Sequence, residues 1–135
     1  MTEPEIHHVR HIDHGAERYT AEKCYIIEIS NTPDDPQVSI ARARVTPGVT
    51  TRWHRVIDTT ERYAILEGSG RVEVGDLPPA VVYAGDVVLI PPGWRQRITN
   101  IGEADLIFLA ICTPRFRPEA YVDVDDAPLP HDVEA

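Results

Sequence analysis

Short apolar or alternating runs recur along the chain, parted by Gly, Pro, Asn and Asp. The pattern predicts strands at 23–30, 38–46, 49–56, 61–67, 70–75, 80–83, 86–90, 95–101 and 105–112. Turn signals fall between them, among them Pro47-Gly48, Gly68-Ser69-Gly70, Ala84-Gly85-Asp86 and Pro91-Pro92-Gly93. Short strands at this regular spacing argue for an all-β sandwich or barrel. No stretch sustains a 3.6-residue period, and 12 prolines with 8 glycines disfavour long helices.

The ends read differently. Residues 1–22 are polar and His-rich, an arm with room for one strand or turn. Residues 23–113 hold the barrel. Residues 114–135 carry four prolines and an acidic run, and the expected course is over the barrel near Phe116 and Tyr121, fraying beyond Asp126.

A length of 135 residues fits one domain with one core. No apolar run approaches the roughly 18 residues that span a membrane. The start, Met1-Thr2-Glu3-Pro4-Glu5, is neither cationic nor apolar, so no signal peptide is expected and the expected setting is cytoplasmic. Net charge is -9, from 13 basic and 22 acidic side chains, which makes nucleic acid a poor partner. Six of the acids stand from Glu119 onward with no Lys or Arg, so the tail carries most of the imbalance. Cys24 and Cys112 lie in apolar stretches, do not form a CxxC pair, and read as buried thiols.

Chemistry concentrates in two blocks. In the first, His54 stands six residues after Gly48, Glu61 seven after His54, and Gly68 seven after Glu61. The second runs from Gly85 through Pro91, Gly93 and Gln96 to Asn100. These blocks resemble the paired motifs of the cupin superfamily, G-x5-H-x-H-x3/4-E-x6-G and G-x5-P-x-G-x2-H-x3-N. The resemblance implies an all-β double-stranded β-helix, the cupin jelly-roll barrel, here with an N-terminal arm and an acidic C-terminal tail. It also implies an active site inside one end of the barrel. The family's metal ligands are two His and one Glu from the first motif and one His from the second. This chain keeps His54 and Glu61 but has Val56 and Gln96 at the other two positions. What the resemblance leaves is a weakly held divalent transition metal (Fe, Zn, Ni or Mn) on His54, Glu61 and Gln96, or no metal.

Strand alternation extends the site. If His54 points inward, so does Arg52; if Glu61 does, so does Tyr63. The expected cavity therefore holds Arg52, His54, Glu61, Tyr63 and Gln96 on an apolar wall. Arg52 would repel a dication and grip a carboxylate or phosphate. Arg42 and Arg44 share one face of the preceding strand, either solvated or adding cationic charge at the barrel mouth. His54, Glu61 and Tyr63 are the candidate acid and base groups. His7 and His11 are four apart, but Arg10 and the lack of a helical frame make this an exposed cluster. Trp53 and Trp94 read as packing residues, and Asn100 as a backbone anchor.

Two functions follow. One is a small-molecule enzyme, isomerase- or epimerase-like or metal-assisted, acting on an anionic or carbonyl-containing molecule; dioxygen chemistry is less favoured. The other is a non-catalytic binding or sensor barrel without a functional metal. The resemblance also implies a homodimer, with residues 1–30 and Phe116 as interface material.

Overall fold

Alternation of buried and exposed side chains along each strand divides this chain into two facing sheets. The computed structural model describes residues 7–127. A 3-10 turn at His14–Ala16 precedes β1 (Arg18–Tyr19), β2 (Tyr25–Ser30), β3 (Ser39–Val45), β4 (His54–Val56), β5 (Thr60–Glu67) and β6 (Ser69–Val74). There follow β7 (Ala80–Tyr83), β8 (Val87–Ile90), β9 (Gln96–Asn100), β10 (Leu106–Thr113), a second 3-10 turn at Pro118–Ala120, and β11 (Tyr121–Asp123). One sheet has the order β1-β2-β3-β10-β5-β8 and the other β11-β4-β9-β6-β7, with every pairing antiparallel. This is the jelly-roll arrangement expected from the sequence.

The inner faces change character along their length. On β3 and β10 the paired residues run from Val45 and Leu106, through Ala43 and Phe108, then Ala41 and Ala110, to Ser39 and Cys112. The first end packs with Ile65, Val72, Ile98 and their neighbours into the core. Ile98 and Leu106 have no exposed surface, and burying such a side chain is worth about 1.5–3 kcal/mol. The second end is too small to fill the space between the sheets. The barrel thus has a packed end and a hollow end.

Two departures from the sequence pattern bear on the hollow end. The expected strand 49–56 pairs as a named strand only over His54–Val56. Upstream, Thr51 N bonds Ile98 O, Arg52 N bonds Glu22 O, and Trp53 N bonds the Asp125 carboxylate. The segment is extended, but its donors serve three different partners and form no continuous ladder. The arm and the tail also each supply a strand: β1 pairs with β2, and β11 with β4. The expected fraying falls mostly on residues 128–135, which lie outside the described residues.

Two motif residues fix the packed end. Asn100 is 1% exposed; its amide donates to Val45 O and Ala104 O, both at 2.8 Å, and its Oδ1 accepts from Gly102 N. Gly68, between β5 and β6, has φ +84°, and a Cβ there would lie 2.8 Å from the Asp105 carbonyl oxygen. Gly68→Ala therefore meets both backbone strain and an unyielding neighbour. The expected loss is about 2 kcal/mol in urea unfolding; an unchanged midpoint would refute the crowding.

Candidate functional site

The hollow end encloses about 290 Å³. Its floor is the inner face of the larger sheet, where cross-strand registers line side chains into rows. One row is Ser39, Cys112 and Glu61; the next is Glu28, Ala41, Ala110 and Tyr63. The space exists because Ala41, Ala43 and Ala110 stand where larger residues would fill it. Thr20, Glu22 and Cys24 border it from the segment after β1, and Phe116, Pro118 and Tyr121 from the tail.

Glu61 is the chemically distinctive wall residue. It is 8% exposed, and its Oε1 has no hydrogen-bond partner. Burial pushes its carboxyl above the ordinary glutamate range; the nearby His54, Gln96 and Cys112 side chains oppose that shift, and the charge of Glu22 reinforces it. The sign of the stability effect follows. A raised folded-state value means that the native state holds the proton longer than the unfolded chain does. That stabilisation is complete below the unfolded value and is lost as pH rises through the folded one. Glu61→Gln is expected to gain stability over wild type as pH rises across this window, with the gap smallest at acid pH. Urea unfolding of both proteins across pH checks this, and a gap that widened toward acid would contradict it.

The other candidates fall into distinct places. Tyr63 is 3% exposed; its ring packs at 4.4 Å on Phe108, and its hydroxyl donates to Gln96 Oε1. His54 pairs across strands with Gln96, and its Nδ1–H donates to the Arg52 carbonyl at 3.0 Å. The Tyr121 ring stacks on the His54 ring at 5.0 Å. Tyr121 borders the cavity, whereas His54, Arg52 and Gln96 are absent from its lining. The buried Tyr121 hydroxyl also has no hydrogen-bond partner.

The expectation that Arg52 offers its charge to a ligand meets a competing contact. Arg52 is 3% exposed, but Nε binds Asp123 Oδ2 at 2.6 Å and Nη2 binds Asp123 Oδ1 and the Ala127 carbonyl. Arg42 and Arg44 likewise turn from the cavity, because Ala41 and Ala43 take the inner face of β3. Glu17 binds both guanidiniums, and Arg44 also reaches Asp105 and lies over the Tyr25 ring. None of the three lines the cavity.

The donor set does not fit a tightly held metal. Val56 supplies no donor atom, Gln96 Oε1 is engaged by Tyr63, and His54 Nδ1 is engaged by a carbonyl. That leaves His54 Nε2 and Glu61 as strong donors, where a stable site needs three or four. Among the described residues no three His, Cys, Asp or Glu side chains are grouped to hold an ion. This includes His7, His8, His11 and His14, where the only helical turn is the 3-10 turn at His14–Ala16. Trp53 lies under the guanidiniums of Arg95 and Arg97, and Trp94 is exposed beside a second, outer hollow of about 600 Å³. No buried ionisable group lines that hollow.

Sequence reasoning missed Glu22, Glu28, Tyr121 and the cavity-forming alanines. The alanines carried a readable signal: in Ile40-Ala41-Arg42-Ala43-Arg44 the face opposite the arginines is small. Glu22 carried none, since only the folding of the arm onto the barrel brings it to the wall; the tail was expected over the barrel near Tyr121, but no role in the site was read for that residue. Cys24 and Cys112 are buried free thiols, as read from their apolar settings, and both border the cavity.

Comparison with known proteins agrees with this architecture. The family described as "Cupin domain" matches residues 41–112, more than half of the chain. A glucose-6-phosphate isomerase of Pyrococcus furiosus is 38% identical over 63 residues, covering 44% of this chain and 33% of that protein. A UDP-2-acetamido-2,6-beta-L-arabino-hexul-4-ose reductase of Pseudomonas aeruginosa is 28% identical over 90 residues, covering 62% of this chain and 24% of that protein. The matched segments are thus a quarter to a third of these relatives' length. Among solved structures, an uncharacterized Klebsiella pneumoniae protein with a double-stranded beta-helix domain superposes with TM-score 0.67 at 15% identity, covering 77% of this chain and 86% of that one. Oxalate decarboxylase from Bacillus subtilis superposes with TM-score 0.70 at 22% identity, covering 82% of this chain and 30% of that one. At these identities the structural likeness bears on the fold alone.

Proposed function

We propose that this chain, which belongs to the cupin-domain family, binds a small carbonyl-containing molecule in the hollow end of its barrel and moves a proton on it, as an isomerase or epimerase does. The observation that carries the reading is Glu61: a buried carboxyl with a raised affinity for its proton and an unpartnered oxygen, on the wall of the cavity. A carboxyl whose hold on its proton is raised by burial is suited to both donating and accepting that proton. Carbonyl polarisation would fall to the Tyr121 hydroxyl, the other buried side-chain polar atom without a partner among the described residues. Tyr63 and Gln96 brace the wall behind Glu61, and the His54 ring stacks on Tyr121. No step requires a metal. The distant isomerase and reductase relatives make carbonyl chemistry a natural starting class.

The competing reading is a binding or sensor barrel without chemistry. The two part in deuterium oxide. An enzyme of the proposed kind exchanges the hydrogen on the carbon next to the carbonyl of a compound that it binds, and proton NMR follows the loss of that signal. Binding of carbonyl compounds without any exchange would leave the sensor reading in possession. The cytoplasmic setting and the homodimer remain part of the proposal; light scattering that gave a monomer at micromolar concentration would remove the second. Among the described residues no helix is long and apolar enough to cross a membrane.

A further inference from the structure

We infer that the cavity selects against negative charge and takes an uncharged molecule, held between the Glu61 carboxyl and the Tyr121 hydroxyl. This rests on the binding role proposed above and narrows its ligand class. It departs from the anionic ligand that Arg52, Arg42 and Arg44 suggested in the sequence.

The charge lining the cavity is one-sided. Glu22, Glu28 and Glu61 border it, against Arg18 alone. Arg18 is exposed on the short β1, close enough to Glu28 for its charge to act on that carboxyl. The other nearby guanidiniums are committed elsewhere, Arg52 to Asp123 and Ala127, Arg42 and Arg44 to Glu17. A carboxylate or phosphate entering the hollow would therefore meet one exposed cation, Arg18, against three carboxyl groups. Ionised, the glutamates repel it. Protonated, they offer it only a neutral donor.

The same wall is built for a neutral polar group. Glu61 Oε1 and the Tyr121 hydroxyl are buried and unpartnered, one on the larger sheet and one on the tail strand. Buried polar atoms are rarely left so; a hydroxyl or amide reaching both can donate and accept as they need, and a carbonyl can accept from both when Glu61 carries its proton. Between them the floor offers apolar surface, small at Ala41, Ala43 and Ala110 and aromatic at Phe108. About 290 Å³ suits one small organic molecule.

The test uses two probes of the same size and shape, butyramide and butyrate, which differ in charge. Protein carrying carbon-13 in its alanine methyl groups is titrated with each at neutral pH, and the signals of Ala41, Ala43 and Ala110 report occupancy of the hollow. Butyramide is expected to shift them saturably, and butyrate to bind at least about tenfold more weakly, which corresponds to about 1.4 kcal/mol. Tyr121→Phe keeps the ring over His54 and should weaken butyramide about threefold; no change would remove Tyr121 from the proposal. Butyrate binding as tightly as butyramide would overturn the charge selection and leave the binding role standing. If neither probe moves the alanine signals at any soluble concentration, selection and binding role fall together.

Discussion

Asp123→Ala is expected to destabilise the protein by about 3 kcal/mol, although Asp123 itself is near the surface. Arg52 is 3% exposed and its guanidinium is held by Asp123 through two hydrogen bonds. Removing the carboxylate takes the ion-pair partner from a buried cation, which costs about 3–5 kcal/mol in a fully buried pair, while the Ala127 carbonyl still accepts from Nη2. The Asp123 side chain is 28% exposed, so the lower end of that range applies. Asp123→Asn, which keeps a hydrogen-bonding oxygen, should lose less. The pair also has a pH signature. Arg52 holds the Asp123 carboxyl below the usual aspartate range. Its stabilisation is present above the unfolded value and is lost as pH falls through the lowered one, so the mutational gap should shrink in acid. Urea unfolding at neutral and acid pH measures both. A loss under about 1 kcal/mol at neutral pH would mean that Arg52 finds equal company without Asp123.

The second large effect is on turnover. Glu61→Gln is expected to cut proton exchange on a bound carbonyl compound by about 10²–10⁴-fold, the usual contribution of a positioned acid–base group. Affinity should change little, because the amide matches the carboxyl in shape and still offers a hydrogen bond to the cavity. The same variant is expected to be as stable as wild type or more so, since it removes a group whose charged form burial disfavours. This combination of lost turnover, kept binding and kept stability separates chemistry from unfolding. A variant that exchanged hydrogen as fast as wild type would take Glu61 out of the mechanism.

The tail links the two results. Asp123 and Tyr121 belong to the same three-residue strand, which among the described residues pairs only with the equally short β4. The ion pair at one residue therefore holds the cavity wall at the other. The Asp125 carboxylate adds a second tether, accepting from Trp53 N at 2.8 Å.

Much of this protein was decided locally. The period-two runs and their Gly and Pro breaks set the strands of the barrel to within a few residues, because alternation across a sheet and turn chemistry are properties of adjacent residues. The glycines and Asn100 of the two spaced blocks carried part of the same information: Asn100 serves the turn at Gly102 and Ala104 beside it, although it also reaches Val45, and Gly68 supplies a positive φ to its own turn. Alternation also brought Glu61 and Tyr63 to one face correctly. What it could not decide was which charges stay available inside. A buried guanidinium takes whatever carboxylate reaches it, and for Arg52 that is Asp123, 71 residues along the chain. For Arg42 and Arg44 it is Glu17, on the arm. Ion pairing depends on distance in space and on the shedding of water, so the sign of charge in the hollow was settled only when arm and tail closed onto the sheets.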